Sequence, residues 1–276
     1  MDKIYNYNLE EIYKIIMPFM EEAGELALEI RQFKYDVKEK TKNDFVTEAD
    51  IAVQNYLQKH LAVIFPQIDF MAEEELNSVK ESSEYIWIID PIDGTTNFMH
   101  QIENGWAISV ALAKLNKENL LEPVLGIVYK PDSKDYFYAI KNQGAFEFKQ
   151  NTQKLTKLSV SNEKDLGRAL VVFGANRSVE HAQKMYEILK ELSPKVAGIR
   201  RRGGASLDIC EVAKGIFVSS FEFSLQPWDI AAAMLVLTEA GGVCSTLDNK
   251  PIKIEKTSFV SGNTHMHKII LEMFHK

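Results

Sequence analysis

The chain has 276 residues, 46 % hydrophobic and 26 % charged, which is ample for a sizeable core in one large domain or two closely packed halves. A net charge of −7 disfavours a nucleic-acid surface, and two distant cysteines, Cys210 and Cys244, read as core thiols of a reducing compartment rather than a disulfide framework. No apolar run approaches the roughly 18 residues that span a bilayer, and residues 1–20 carry Asp2, Lys3, Glu10, Glu11 and Lys14 where a signal peptide would be apolar, so a cytoplasmic protein without membrane or nucleic-acid partners is expected.

Residues 8–34 are predicted as a helix, because Leu9, Ile12, Ile16, Phe19, Ala23, Leu26, Ala27, Ile30 and Phe33 recur at spacings of three and four. Asn8 and Glu11 have the form of a capping pair, and Pro18 is expected to kink or break the helix. Residues 38–44 read as a polar connection of turn formers. Phe45-Val46-Thr47-Glu48-Ala49-Asp50 then opens a second helix, with Val53, Tyr56, Leu57, Leu61, Ile64 and Phe65 on its core face and Pro66 after its end. Thr47 and Asp50 make a capping box with Asp in place of Glu. Residues 67–85 read as an acidic loop, in which Glu73-Glu74-Glu75 has the character of a solvated face.

Ile86-Trp87-Ile88-Ile89 is short, β-branched and aromatic, the pattern of a buried strand. Asp90-Pro91-Ile92-Asp93-Gly94-Thr95-Thr96-Asn97 follows, so Asp90 and Asp93 are expected at a strand terminus with the chain turning at Pro91. Strands at 105–115, 123–129, 135–140 and 144–148 complete a first half, about residues 1–153, of two helices against an antiparallel sheet. From about 154 to 276 the rhythm alternates. Strands are expected at 169–173, 196–200, 216–220 and 259–261, and helices at 179–192, 205–213, 229–240 and from 264 onward. The expected architecture is one unit with an α+β half and an α/β half, a layered αβαβα sandwich, with a seam at 154–166.

Asp90 and Asp93 are hard oxygen ligands of the kind that suit Mg²⁺, which keeps waters and shares substrate phosphates. The backbone N–H groups of Gly94 and Thr95 can cradle a phosphate. Each acid also has a plainer reading. Asp90 and Asp93 can be solvated in an Asx-type turn, Asp50 can be a helix cap, and Asp229 can be a carboxylate at a helix N-terminus.

The run from Asp90 to Asn97 resembles the first signature of the inositol monophosphatase family, within the Mg²⁺-dependent, lithium-sensitive sugar phosphatases. Three more segments resemble that family in the same chain order: Phe45 to Asp50, Ala72-Glu73-Glu74, and Pro227-Trp228-Asp229-Ile230-Ala231-Ala232. The resemblance runs from about residue 8 to the end. It implies one Mg²⁺ held by Glu73, Asp90 and the carbonyl of Ile92, a second held by Asp90, Asp93 and Asp229, and a weaker third near Glu73. It implies that Asp50 and Thr95, with Glu73, orient and deprotonate the attacking water. Substrate contacts would come from Asp93, Gly94, Thr95, Ala205, Glu222 and Asp229, and an ionised Glu222 would favour polyol leaving groups. A lysine near the phosphate is Lys38, Lys40 or Lys42. The resemblance also implies a homodimer acting on a small phosphorylated metabolite.

The chain departs from the family pattern at Ala72, at Gln101-Ile102-Glu103-Asn104, at Gly203-Gly204-Ala205 and at Val218, none of them a metal ligand. A phosphate monoester resists hydrolysis because its charge repels nucleophiles and an alkoxide leaves badly. Two bound cations about 3.5–4 Å apart activate water and neutralise the leaving oxygen, with Asp90 the candidate bridge. The expected reaction is Mg²⁺-dependent hydrolysis of small phosphate monoesters, inositol monophosphate first. Alternatives on the same fold are an NADP(H) 2′-phosphatase, a fructose-1,6-bisphosphatase and a 3′-phosphoadenosine 5′-phosphate phosphatase. Arg200-Arg201-Arg202 would attract larger anions or simply be surface charge. A non-catalytic phosphate-binding regulator is disfavoured by the intact set Asp50, Glu73, Asp90, Asp93, Thr95 and Asp229.

Overall fold

The computed structural model describes residue 4 and residues 7–33, 36–41, 44–74, 83–174 and 178–275. Helix α1 (Leu9–Gln32) leads through the hairpin β1 (Val37–Thr41) and β2 (Asp44–Thr47) to α2 (Glu48–Ile64). A seven-stranded sheet follows. Its strands are β3 (Asp69–Ala72), β4 (Tyr85–Asp93), β5 (Ala107–Lys114), β6 (Glu122–Lys130), β7 (Asp135–Ile140), β8 (Gly144–Lys149) and β9 (Lys154–Lys157), in that spatial order. The short helix α3 (Thr95–Met99) lies between β4 and β5. Strands β3 and β4 run parallel, and every later neighbour is antiparallel.

The second half contains β10 (Leu170–Phe173), α4 (Val179–Leu192), β11 (Gly198–Arg200), α5 (Ala205–Ala213), β12 (Ser219–Leu225), α6 (Pro227–Glu239), β13 (Val243–Ser245), β14 (Thr257–Gly262) and α7 (Thr264–Phe274). Its sheet has the order β11-β10-β12-β14-β13, with β10 parallel to β11 and β12, and β14 antiparallel to β12 and β13.

Side-chain alternation decides the layers. On β4 and β5, Trp87, Ile89, Ile108 and Val110 face α1 and α2, where Ile12, Ile16, Val53 and Leu57 are buried. Ile86, Ile88, Ala107 and Ala111 face α5 and α6 on the other side. Helix α6 is apolar all round because it lies between two sheets. Val172 and Phe259 close that middle layer, while Val171, Phe221 and Val260 face Met185 of α4 and Ile270 of α7. The layers are therefore α, β, α, β, α. Both faces of the large sheet are covered, which is why its strands read as unbroken apolar runs.

Several elements differ from expectation. Helix α1 passes unbroken through Pro18, because Ile12, Ile16, Met20 and Ala23 on either side of it share one core and outweigh a missing backbone hydrogen bond. Residues 38–41 are strand, residues 45–47 complete its partner, and α2 starts at Glu48; Lys42 lies outside the described residues. Within the expected acidic loop, β3 pairs with β4, and Glu75 lies outside the described residues. Strand β9 carries the large sheet past residue 153. Strand β12 lies at Ser219–Leu225 rather than 216–220, because Ser219 and Ser220 are buried and satisfied by Ser261 across the ladder, at 2.5 and 2.6 Å. Cys210 is buried, Cys244 half-buried, and both are free. Among the described residues no helix is long and apolar enough to cross a membrane.

Candidate active site

Two acids three residues apart on a regular strand point to opposite faces. Asp90 and Asp93 escape this because β4 bulges. Asp90 pairs with Ser109 and Asp93 with Ala107, three steps against two. The extra residue resets the alternation, so Ile89 and Ile92 share the α1/α2 core, and Asp90 and Asp93 come together on the other face. The strand therefore does not end at Asp90 but carries Pro91 through the interrupted ladder, where a missing N–H is tolerated. Asp90 Oδ1 accepts the N–H of Ile92 at 3.0 Å. Gly94 follows at φ +90°, and a Cβ there would lie 2.9 Å from the carbonyl of Gly105, so only glycine fits.

Asp50 is fully buried and its two oxygens do different jobs. Oδ2 accepts the Thr47 N–H at 2.8 Å and the Thr47 hydroxyl at 2.5 Å, completing the capping box of α2. Oδ1 faces the Thr95 hydroxyl at 3.4 Å, and that hydroxyl also lies 3.1 Å from the Ile92 carbonyl. Burial pushes Asp50 up to about 6, against the pull of the Thr47 bonds.

Lys40 lies on β1, and Lys42 lies outside the described residues. Lys40 donates to Glu73 at 3.0 Å and also to Glu74, whose backbone N–H is held by Gln54 at 2.9 Å. Asp50, Glu73 and Glu74 each present an oxygen within 4.8 Å of the others. Lys40, one of the three lysines the resemblance offered, and Glu74, from the segment Ala72-Glu73-Glu74, thus lie beside Asp50 and Glu73.

Asp93 reaches into the second half. Its oxygens accept the N–H groups of Ala205 at 3.0 Å and Ser206 at 2.9 Å, and the Ser206 hydroxyl at 2.5 Å, at the start of α5. Those bonds oppose burial, which comes first and pushes Asp93 up to about 6. Asn97 ties the same loops, donating to the carbonyls of Gly105 at 2.6 Å and Arg202 at 2.8 Å. Nothing in the sequence singled out Ser206. Asp229, in the first turn of α6, accepts the Gln226 N–H at 2.7 Å, so it is also a helix-terminal carboxylate.

Strand β12 bulges as β4 does. Glu222 pairs with Phe259 and Leu225 with Thr257, and Ser224 takes φ +57° at the kink. Glu222 and Leu225 consequently line one pocket, with Ala205, Gly174 and Asp208. A Cβ on Gly174 would lie 1.8 Å from the Glu222 carboxyl.

Burial, then Glu73, Asp93, Asp229 and Asp50, hold the Asp90 carboxyl well above the usual carboxylate range. Carboxyls crowded this way resist ionising together, bound cations relieve that repulsion, and the oxygen-only donor set fits Mg²⁺. Glu73, Asp90, Asp93 and Asp229 are thus brought into one electrostatic cluster, with the Ile92 carbonyl beside Thr95 at its edge.

The model of a protein family described as the inositol monophosphatase family matches residues 8–276. The chain is 36 % identical over 239 residues to an inositol-1-monophosphatase of Caulobacter vibrioides, covering 86 % of this chain and 89 % of that one. It is 32 % identical over 273 residues to the Nus factor SuhB of Pseudomonas aeruginosa, covering 95 % of each. A solved IMPase/NADP phosphatase, complexed with Mg²⁺ and phosphate, matches with a TM-score of 0.81 at 28 % identity, over 96 % of this chain and 95 % of that one.

Proposed function

Because this chain belongs to the inositol monophosphatase family, and so is a phosphoric monoester hydrolase, we propose that its substrates are small polyol phosphates, with inositol 1-phosphate among the good ones. The observation that carries this reading is the buried cluster of Asp50, Asp90 and Asp93 with Glu73 and Asp229, next to the pocket of Ala205 and Glu222. Glu73, Asp90, Asp93, Asp229 and the Ile92 carbonyl would hold Mg²⁺, two or three ions in all. Bound there, Mg²⁺ supplies Lewis-acid charge that lowers the pKa of water and offsets charge on the leaving oxygen.

The chain's own groups do the rest. Asp50 Oδ1 takes the proton of the attacking water through the Thr95 hydroxyl, which lies within reach of it. The N–H groups of Gly94 and Thr95 hold phosphate oxygens. Lys40 keeps Glu73 and Glu74 in place. Glu222 and the backbone of Ala205 meet the leaving group. Burial, then the carboxylates of Asp229, Asp93 and Asp208, push Glu222 well above its usual range, with Arg201 pulling the other way. The Glu222 carboxyl can hydrogen-bond a ring hydroxyl there. We take the two halves as one unit, since Asp93 of the first is bound by Ala205 and Ser206 of the second.

The test is kcat/KM, by phosphate release, over inositol 1-phosphate, fructose 1,6-bisphosphate, NADP and 3′-phosphoadenosine 5′-phosphate. Inositol 1-phosphate as the poorest of the four by orders of magnitude sinks the substrate reading and leaves the hydrolytic one. A second reading, a nucleotide 2′-phosphate, is favoured by the bearing of Arg201 on Glu222 and ranks NADP first in the same assay. A homodimer, read by sedimentation, and inhibition by lithium belong to the same proposal. A Nus-factor role, which the name of the Pseudomonas aeruginosa relative carries, would be separate from the cleft chemistry.

A further inference from the structure

Asp208 has no part in the chemistry above. It stands on α5 three residues beyond Ala205, so both lie on one face of the helix. It is 4 % exposed, and its Oδ1 is buried without a hydrogen-bond partner among the described residues. Arg202, which could have satisfied it, instead lies 3.8 Å from Glu211 one turn further along. Asp208 lines the same pocket as Glu222 and Ala205, against the apolar side chains of Leu225 and Phe259. A buried polar atom with no protein partner destabilises the fold that holds it, so its retention calls for a partner from outside the chain, such as a bound hydroxyl.

Resting on the polyol reading, we propose that Asp208 is a specificity-determining residue: in the pocket it shares with Glu222 it hydrogen-bonds a hydroxyl of the departing alcohol beside the one that Glu222 meets. Two carboxyls in one pocket match neighbouring hydroxyls, one each. A leaving group without neighbouring hydroxyls would leave one or both carboxyls unmatched. An ammonium is disfavoured by Arg202 and Arg201, which bear on Asp208 and Glu222 respectively. Burial, against the pull of Arg202, also pushes Asp208 up to about 8, so at neutral pH it has a proton to donate.

The experiment compares Asp208→Leu and Asp208→Asn with the wild type in the full-length, Mg²⁺-loaded enzyme. The substrates are inositol 1-phosphate and p-nitrophenyl phosphate, whose leaving group has no hydroxyl to read. For Asp208→Leu, kcat/KM on inositol 1-phosphate is expected to fall about tenfold or more, chiefly through KM, with p-nitrophenyl phosphate within about threefold. Asp208→Asn, which can still hydrogen-bond, is expected to recover most of the loss. The melting midpoint of Asp208→Leu should hold or rise, because the orphaned oxygen is gone. Equal loss on both substrates, no loss on either, or a midpoint several degrees lower overturns the inference; the last assigns Asp208 a structural partner such as a buried water. A wild type that cleaves p-nitrophenyl phosphate but not inositol 1-phosphate is a different failure, that of the substrate reading, and removes the inference with it.

Discussion

Asp50→Asn separates a helix cap from a catalytic base, because the two oxygens of Asp50 are engaged on different sides. An asparagine can keep its carbonyl oxygen on the Thr47 N–H, now 2.8 Å from Oδ2, and turn its amide toward Thr95. Losing a cap outright costs about 0.5–2 kcal/mol. A retained cap should cost less than about 1 kcal/mol, a shift of no more than about 4 °C for a chain of this size. The buried charge works in the opposite direction. Raising Asp50 from 3.8 to about 6 opposes its ionisation by at most about 3 kcal/mol in the metal-free protein, a cost that Asn does not carry. Asp50→Asn without metal should therefore be at least as stable as wild type above about pH 6. Its kcat should fall ~10²–10⁴-fold, since an amide cannot take a proton. Wild-type kcat should rise with pH as Asp50 deprotonates, at about 6 or lower once cations are bound, and the variant should lack that limb. Phosphate release at saturating Mg²⁺ over pH, beside thermal melts, reads all of this. A variant that keeps more than about a tenth of wild-type kcat refutes the base assignment.

Chelation should abolish activity, and Mg²⁺ should restore it. In the chelated protein Asp50, Asp90 and Asp93 all have raised pKa values, so their contribution to stability is complete below about pH 4; that of Asp50 and Asp93 is lost as pH rises through about 6, and Asp90 acts in the same direction. The metal-free melting midpoint should then decline across that window, and the gain from Mg²⁺ should grow; a midpoint that climbs instead contradicts the crowding of these acids. Gly174→Ala places a Cβ 1.8 Å from the Glu222 carboxyl and must displace it, so KM for inositol 1-phosphate should increase about tenfold with little change in melting. An unchanged KM would remove Glu222 from the substrate pocket.

What the sequence revealed follows from where its pattern and the final burial agree. Ile86 to Ile89 read as a strand because both faces of the large sheet are covered, and the helices read well because each buries one stripe. Strands β1 and β9 were hidden because their sequences, Val-Lys-Glu-Lys-Thr and Lys-Leu-Thr-Lys, have almost no apolar signal and exist by pairing with a neighbour. Strand β12 was misplaced because its buried serines look polar until Ser261 satisfies them. In the site, the four matching segments located most of the acids. The sequence could not show that Lys40 reaches Glu73 and Glu74, since that contact depends on the hairpin pairing. Nor could it show that the two oxygens of Asp50 are engaged on different sides, Oδ2 in the cap and Oδ1 facing Thr95. Ser206 and Asp208 carried no motif, and their importance comes from what folding places against them.

The two bulges make this cleft a matter of counting. In β4 the chain takes three steps where its partner takes two, and in β12 it does so again, so Asp93 and Leu225 each arrive one residue out of phase with the strand that leads to them. A substitution within 90–93 or 222–225 changes a side chain but keeps the count. Removing one residue would let the ladder close without interruption, and everything beyond would exchange core for cleft: Asp93 would turn toward α2 and Leu225 away from its pocket. Drift in composition is therefore tolerable in these short stretches, whereas drift in length is not. Among relatives of this fold, the number of residues between the two aspartates should be a stricter mark of a working site than the identity of those residues.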